Sequence, residues 1–139
     1  MKNWIRLSIV AVLAFSADSL LTKRASADSN RAFELRIYHA APGRLGSLQT
    51  LFREHTIPMF KKHGLEGVGY WVPQDKPDSE NTWIYILAHK SREDAKKNWA
   101  AFQADPEWQA ALKAANADGR VVEKIDSTFM DPADVSPLK

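Results

Sequence analysis

The chain has 139 residues, 45% of them hydrophobic, 26% charged and 10% aromatic, with no cysteine and a formal net charge of +2. These figures describe one domain of ordinary globular composition and exclude a disordered tail, a collagen-like fibre, a disulfide scaffold and a thiolate metal site. The charge belongs to the whole translated chain, and its excess sits at the N-terminus.

Lys2 and Arg6 precede an apolar run from Leu7 to Phe15, and Ala25-Ser26-Ala27 precede Asp28. A positive region, a short apolar region and small residues at the cleavage positions are the order of a secretory signal. The competing reading, a transmembrane anchor, needs about 20 apolar residues, and Asp18, Lys23 and Arg24 interrupt the run. Residues 1–27 are therefore expected to be a signal peptide, 28–131 a single domain and 132–139 a C-terminal tail. Removing Lys2, Arg6, Lys23 and Arg24 from the 19 basic residues, and Asp18 from the 17 acidic ones, leaves 15 against 16. A near-neutral mature chain without basic clusters disfavours nucleic acid, and it is expected to be periplasmic or secreted, with no stable membrane insertion after cleavage.

Residues 31–40 alternate, with Phe33, Leu35, Ile37 and His39 on one side and Glu34, Arg36 and Tyr38 on the other, which predicts a first strand. After Pro42-Gly43, the stripe Leu45, Leu48, Leu51, Phe52, His55, Met59 and Phe60 predicts a long amphipathic helix to about His63, stopped by Gly64. Pro58 lies inside it and predicts a kink or break near Thr56-Ile57. A second strand is expected over 64–74, a polar hairpin loop over 73–81 and a third strand over 82–89. Both sides of that third strand are apolar, which places it centrally. Ser91 and Asp94 form a capping box for a second helix with Ala95, Trp99 and Phe102 inward. Asp105-Pro106 restarts it, with Trp108, Ala111, Leu112 and Ala115 continuing the stripe to Gly119. A fourth strand is expected over 120–129.

The order β-α-β-β-α-β predicts an α+β, ferredoxin-like domain with an antiparallel sheet in strand order 4-1-3-2. Helices cover one face of such a sheet. The large side chains on the other face predict a homodimer paired sheet to sheet, a dimeric α+β barrel.

The segments Phe33-Glu34-Leu35-Arg36-Ile37-Tyr38, Pro42-Gly43-Arg44, Glu54-His55-Thr56-Ile57-Pro58, Lys62-His63-Gly64 and Ala104-Asp105-Pro106-Glu107-Trp108 together resemble the NIPSNAP family, in its order and spacing. The resemblance implies the same dimeric α+β barrel, a superfold that hosts cofactor-free monooxygenases, haem-dependent enzymes, lactone isomerases and stress proteins without known activity. Fold alone does not choose among them.

In such a barrel Phe33, Leu35 and Ile37 are expected to meet the helices, and Glu34, Arg36 and Tyr38 to point into the barrel. A buried arginine must be paired, and Glu34 is the nearest candidate. Two readings stand: an internal salt bridge that specifies the dimer, or a pocket in which Arg36 holds an anion and Tyr38 donates a hydrogen bond. His39 and His89 close the first and third strands and are expected together at one sheet edge, where they are candidates for acid–base work. Arg36, Tyr38, His39 and His89 are thus the catalytic candidates. Glu34, His55, Tyr70, Trp71, Trp83 and Tyr85 are candidate ligand-binding residues. No cofactor is expected; haem or a metal held by histidine is the weaker alternative. His55 has a second reading as a core or capping residue, and His63 as a partner for the negative end of its helix. The expected activity is binding of a small, partly apolar, anionic molecule, with cofactor-independent oxidation or isomerisation as its enzymatic form. Its rival is a non-catalytic interaction protein.

Overall fold

The computed structural model describes residues 31–139; the expected signal peptide and its cleavage bond lie outside them. Four strands, β1 (Ala32–Ala40), β2 (Glu66–Trp71), β3 (Thr82–His89) and β4 (Val122–Met130), form one sheet in the order β2-β3-β1-β4. Every neighbouring pair is antiparallel. This is the ferredoxin-like arrangement the element order predicts. The β1–β2 crossover carries α1 (Leu45–Leu51) and α2 (Ile57–Lys62), and the β3–β4 crossover carries α3 (Arg92–Ala104) and α4 (Pro106–Ala115).

Local chemistry sets the element ends. Gly43 and Gly64 take φ of 73° and 71°, conformations open to glycine, where the chain enters α1 and leaves α2. Ser91 Oγ accepts from the Asp94 N–H at 3.1 Å to open α3, and Asp105 Oδ1 accepts from the Glu107 N–H at 2.8 Å to open α4. β2 is shorter than expected and bulged between Gly67 and Gly69. A Cβ at Gly67 would run into the Tyr70 hydroxyl, so the missing side chain makes room for that ring. α4 ends at Ala115, before Gly119, because Asn116 Oδ1 accepts from the Val121 N–H at 2.9 Å and turns the chain into β4. The segment after Met130 holds no helix or strand.

The expected break at Pro58 takes the form of a π turn, Phe52–Thr56, between α1 and α2. Pro58 has no N–H to give to Glu54. The backbone gains one residue instead: the Ile57 N–H reaches back to the Phe52 carbonyl, and the Thr56 hydroxyl donates to the Leu51 carbonyl at 3.3 Å. Within the turn the inward position falls one residue later than expected, while Met59 and Phe60 beyond it stay buried. Thr56 becomes buried and His55 exposed, correcting the expectation that His55 lies on the inward face.

Two further expectations are corrected by the sheet. β1 and β3 are antiparallel, with His39 opposite Thr82 and His89 opposite Ala32. His39 and His89 therefore sit at opposite ends, seven strand positions or about 23 Å apart. The reason is topological: a right-handed crossover makes β1 and β2 parallel, and the hairpin from β2 sends β3 back between them.

The assignment of faces is also reversed. Glu34, Arg36 and Tyr38 lie under the helices with Trp83, Tyr85 and Leu87, while Phe33, Leu35 and Ile37 share the opposite face with Ile84 and Ile86. Aromatic packing explains this. Phe52 sits 5.7 Å from the Tyr38 ring and 5.2 Å from the Tyr85 ring, and Phe60 lies between Tyr85 and Trp99 at 5.9 and 5.5 Å. The helices carry large flat rings and the sheet meets them with its own. The Glu34 carboxylate on that face is buried because four donors satisfy it.

Candidate functional site

At the centre of the covered face is Glu34, 1% exposed. Its Oε1 accepts from Arg36 Nη1 and from Ser127 Oγ, both at 2.7 Å; its Oε2 accepts from Trp99 Nε1 at 2.7 Å and from His89 Nε2 at 3.0 Å. Four donors from β1, β4, α3 and β3 converge on one carboxylate. Burial pushes the Glu34 carboxyl up, and the bonds from His89, Trp99, Ser127 and Arg36 outweigh it, bringing it down to about 2. An ionised acceptor requires a proton on His89 Nε2. The other ring nitrogen, Nδ1, is buried with no partner.

Arg36 is the outward arm of this hub. Its guanidinium carbon lies 4.3 Å from the centre of the Trp99 ring and 5.6 Å from that of Tyr38. Burial works against its charge, but the neighbouring Tyr38 and Tyr85 and the bond to Glu34 more than restore it, so its pKa is raised. Arg36 Nε is buried and unpartnered. Tyr38 accepts from the Tyr85 hydroxyl at 3.0 Å, which leaves its own O–H to donate elsewhere. Burial raises the Tyr85 pKa well above the usual phenol range, so Tyr85 stays a donor.

Arg36 and Tyr38 open into a cleft of about 600 Å³ between the sheet and the helices. Its walls come from Leu51 of α1, Phe52 of the π turn, Trp99 and Phe102 of α3, and Trp108 of α4. Leu112, 37% exposed, and the exposed Arg120 stand at the mouth. Leu112 thus leaves the inward stripe expected of it, because α4 lies over an opening at that point. The volume and the mix of aromatic walls with a few polar groups are those of small-molecule sites.

The structure gathers Glu34, Arg36, Tyr38, Tyr70, Trp83, Tyr85 and His89 on one face and separates the rest. His39 lies on the other face, bonded to Asp126 Oδ2 at 3.0 Å. Trp71, opposite Ile84 and 48% exposed, also faces away from the helices. His55 stands outside, and His63 Nε2 meets Asp105 Oδ2 at 2.8 Å, a partner at the start of α4 and not its own helix end. His89, with 3% exposure, lies behind Glu34 and does not line the cleft. Trp83 and Tyr70 stack at 6.0 Å as supports for Phe52 and Tyr85. Sequence reasoning placed Trp99 in the core and passed over Ser127; both are donors to Glu34. For Trp99 a signal existed, since its indole N–H on an inward stripe requires an acceptor. Ser127 had none without the β1–β4 register. Among the described residues no group of three or more His, Asp or Glu is placed to hold a metal ion, and no helix is long and apolar enough to cross a membrane.

Comparison with known proteins gives a consistent result. A NIPSNAP family protein of unknown function from Agrobacterium tumefaciens is 28% identical, with a TM-score of 0.69, over 80% of this chain and 96% of that one. A second from the same species is 24% identical at a TM-score of 0.69, covering 79% and 100%. SnoaB, a cofactor-independent oxygenase from Streptomyces nogalater, shares the fold at 11% identity and a TM-score of 0.52, over 78% and 98%. No curated protein matches the chain. The NIPSNAP profile matches residues 33–137, through all four strands and both crossovers, and the chain belongs to the NIPSNAP family.

Proposed function

We propose that the chain binds a small, partly apolar molecule in the cleft between sheet and helices, through an anionic or polarised oxygen held by Arg36 and Tyr38. The observation that carries this reading is the aromatic cleft of about 600 Å³ ending on those two donors. The reversal of faces moves the ligand from the barrel interior, where it was first expected, to the helix side of one subunit. Binding is the favoured form, because none of the four histidines lines the cleft and the one carboxylate at its inner end is saturated. A second reading, cofactor-independent oxidation or isomerisation, is favoured by the meeting of an N–H and an O–H donor at one end. Such donors stabilise an enolate oxygen, on a substrate acidic enough to ionise without a protein base.

The working form is proposed to be an exported homodimer. Leu35, Ile37, Ile84 and Ile86, half-buried on the face turned from the helices, support the pairing.

Native mass spectrometry of the protein recovered from the periplasm or medium tests the whole reading. The expected species is a dimer of chains beginning at Asp28, carrying a small molecule that is absent from Arg36→Leu and reduced in Tyr38→Phe. A bound molecule retained in both variants sinks the proposed site.

A further inference from the structure

The cation at the inner end of the cleft is already paired, and this bears on what the cleft selects. Arg36 brings one positive charge and Glu34, 2.7 Å from it, one negative. His89, 3% exposed, meets the other carboxylate oxygen of Glu34 at 3.0 Å and lies behind it, outside the lining of the cleft. Tyr38 stands beside Arg36 and accepts from the Tyr85 hydroxyl. Trp99 and Ser127 supply uncharged donors. The charged residues that also line the cleft, Arg120, Glu123 and Lys124, are exposed and belong to its mouth.

A carboxylate drawn to this inner end would give up its hydration and face a cation that Glu34 already neutralises. It would also approach Glu34 itself, since its oxygen and Glu34 Oε1 would share one guanidinium. A ketone or aryl carbonyl oxygen sheds less hydration, suffers no repulsion, and still receives charge-assisted N–H and phenolic O–H donation. The Trp99 ring against the guanidinium adds a flat apolar surface on which a planar body stacks.

We propose that Glu34 is the specificity-determining residue of the cleft: by neutralising Arg36 it makes the inner end select an uncharged acceptor oxygen on a planar apolar body over a carboxylate. The inference rests on the cleft-binding reading, and its test separates the two.

The probes are 2-acetylnaphthalene and 2-naphthoate, which share a ring system and differ in the charge of the carbonyl group. Each is titrated at pH 7 into the purified protein, and binding is read by quenching of the tryptophans that line the cleft. The wild type is expected to bind the ketone at least tenfold more tightly than the carboxylate. Glu34→Gln leaves Arg36 uncompensated and is expected to shift that ratio at least tenfold toward 2-naphthoate. Arg36→Leu removes the donor and is expected to weaken both probes, the ketone at least tenfold. A loss of packing alone would move both probes together in Glu34→Gln and overturn the proposal. Should Glu34→Gln fail to fold, the wild-type ratio still decides: equal or tighter binding of 2-naphthoate overturns the proposal and leaves the cleft reading standing. Binding of neither probe to the wild type overturns both.

Discussion

The two faces of the sheet each carry a histidine–carboxylate pair, and the pairs differ in nearly every other respect. On the covered face His89 and Glu34 meet at 3.0 Å with side chains 0% and 2% exposed, inside a network that satisfies every lone pair of the carboxylate. On the open face His39 and Asp126 meet at the same distance with side chains 36% and 44% exposed, and Lys124 shares the aspartate. Equal distances therefore conceal unequal energies. An exposed pair gains little because water screens it, whereas a buried carboxylate deprived of its partners leaves uncompensated charge behind.

The sharpest way to break this contrast is Glu34→Ala, which strands Arg36 in the covered face. Unfolding in urea should show a loss of about 3–5 kcal/mol, and a loss below about 1 kcal/mol would mean that water reaches the hub. Acid is the next lever. The four donors hold the Glu34 carboxyl down at about 2 in the fold, against an ordinary glutamate value of 4.5 in the unfolded chain. The folded form therefore binds fewer protons between those values, so its stability is full above pH 4.5 and is lost as pH falls through about 2. The loss from this group is on the order of 3 kcal/mol, measurable as a falling urea midpoint from pH 5 to pH 2. Substituting Glu34 should flatten that fall.

On the open face the expected effects concern association before stability. Ile84→Asp should convert the proposed dimer to a monomer in sedimentation equilibrium, with the far-ultraviolet circular dichroism of the domain kept. A variant that stays dimeric places the contact elsewhere. Smallest of all is Asp126→Asn, expected to leave the urea midpoint close to that of the parent chain, because water screens the pair. A clear fall in the midpoint would show that His39 and Asp126 are enclosed by a partner, and so would favour pairing through that face.

Much of the fold was legible in the sequence because its signals are local. The Ser91 and Asp105 caps, the left-handed glycines at 43 and 64, and the bounds of β3 each depend on a few neighbouring residues. The Glu34–Arg36 pair was legible for the same reason, lying two residues apart on one strand. What failed was relational. Alternation sorts β1 into two sets but does not say which set meets the helices; that is settled by Phe52, Phe60 and Trp99, which arrive from other elements. The cleft has no sequence signature, since its floor is β1 and its walls come from both crossovers. His55 misled because the period of an α-helix was carried unchanged through the π turn at Phe52–Thr56.

The π turn at Phe52–Thr56 makes the cleft wall a discrete variable rather than a continuous one. A π turn is equivalent to one residue inserted into an α-helix, so relatives that gain or lose a single residue between Phe52 and Pro58 would turn the following segment by about 100°, with its length nearly unchanged. Such a change presents a different side chain to the cleft in one step. In this chain the alternative occupant is already next in line, for the imidazole of His55 stands one position from the buried hydroxyl of Thr56.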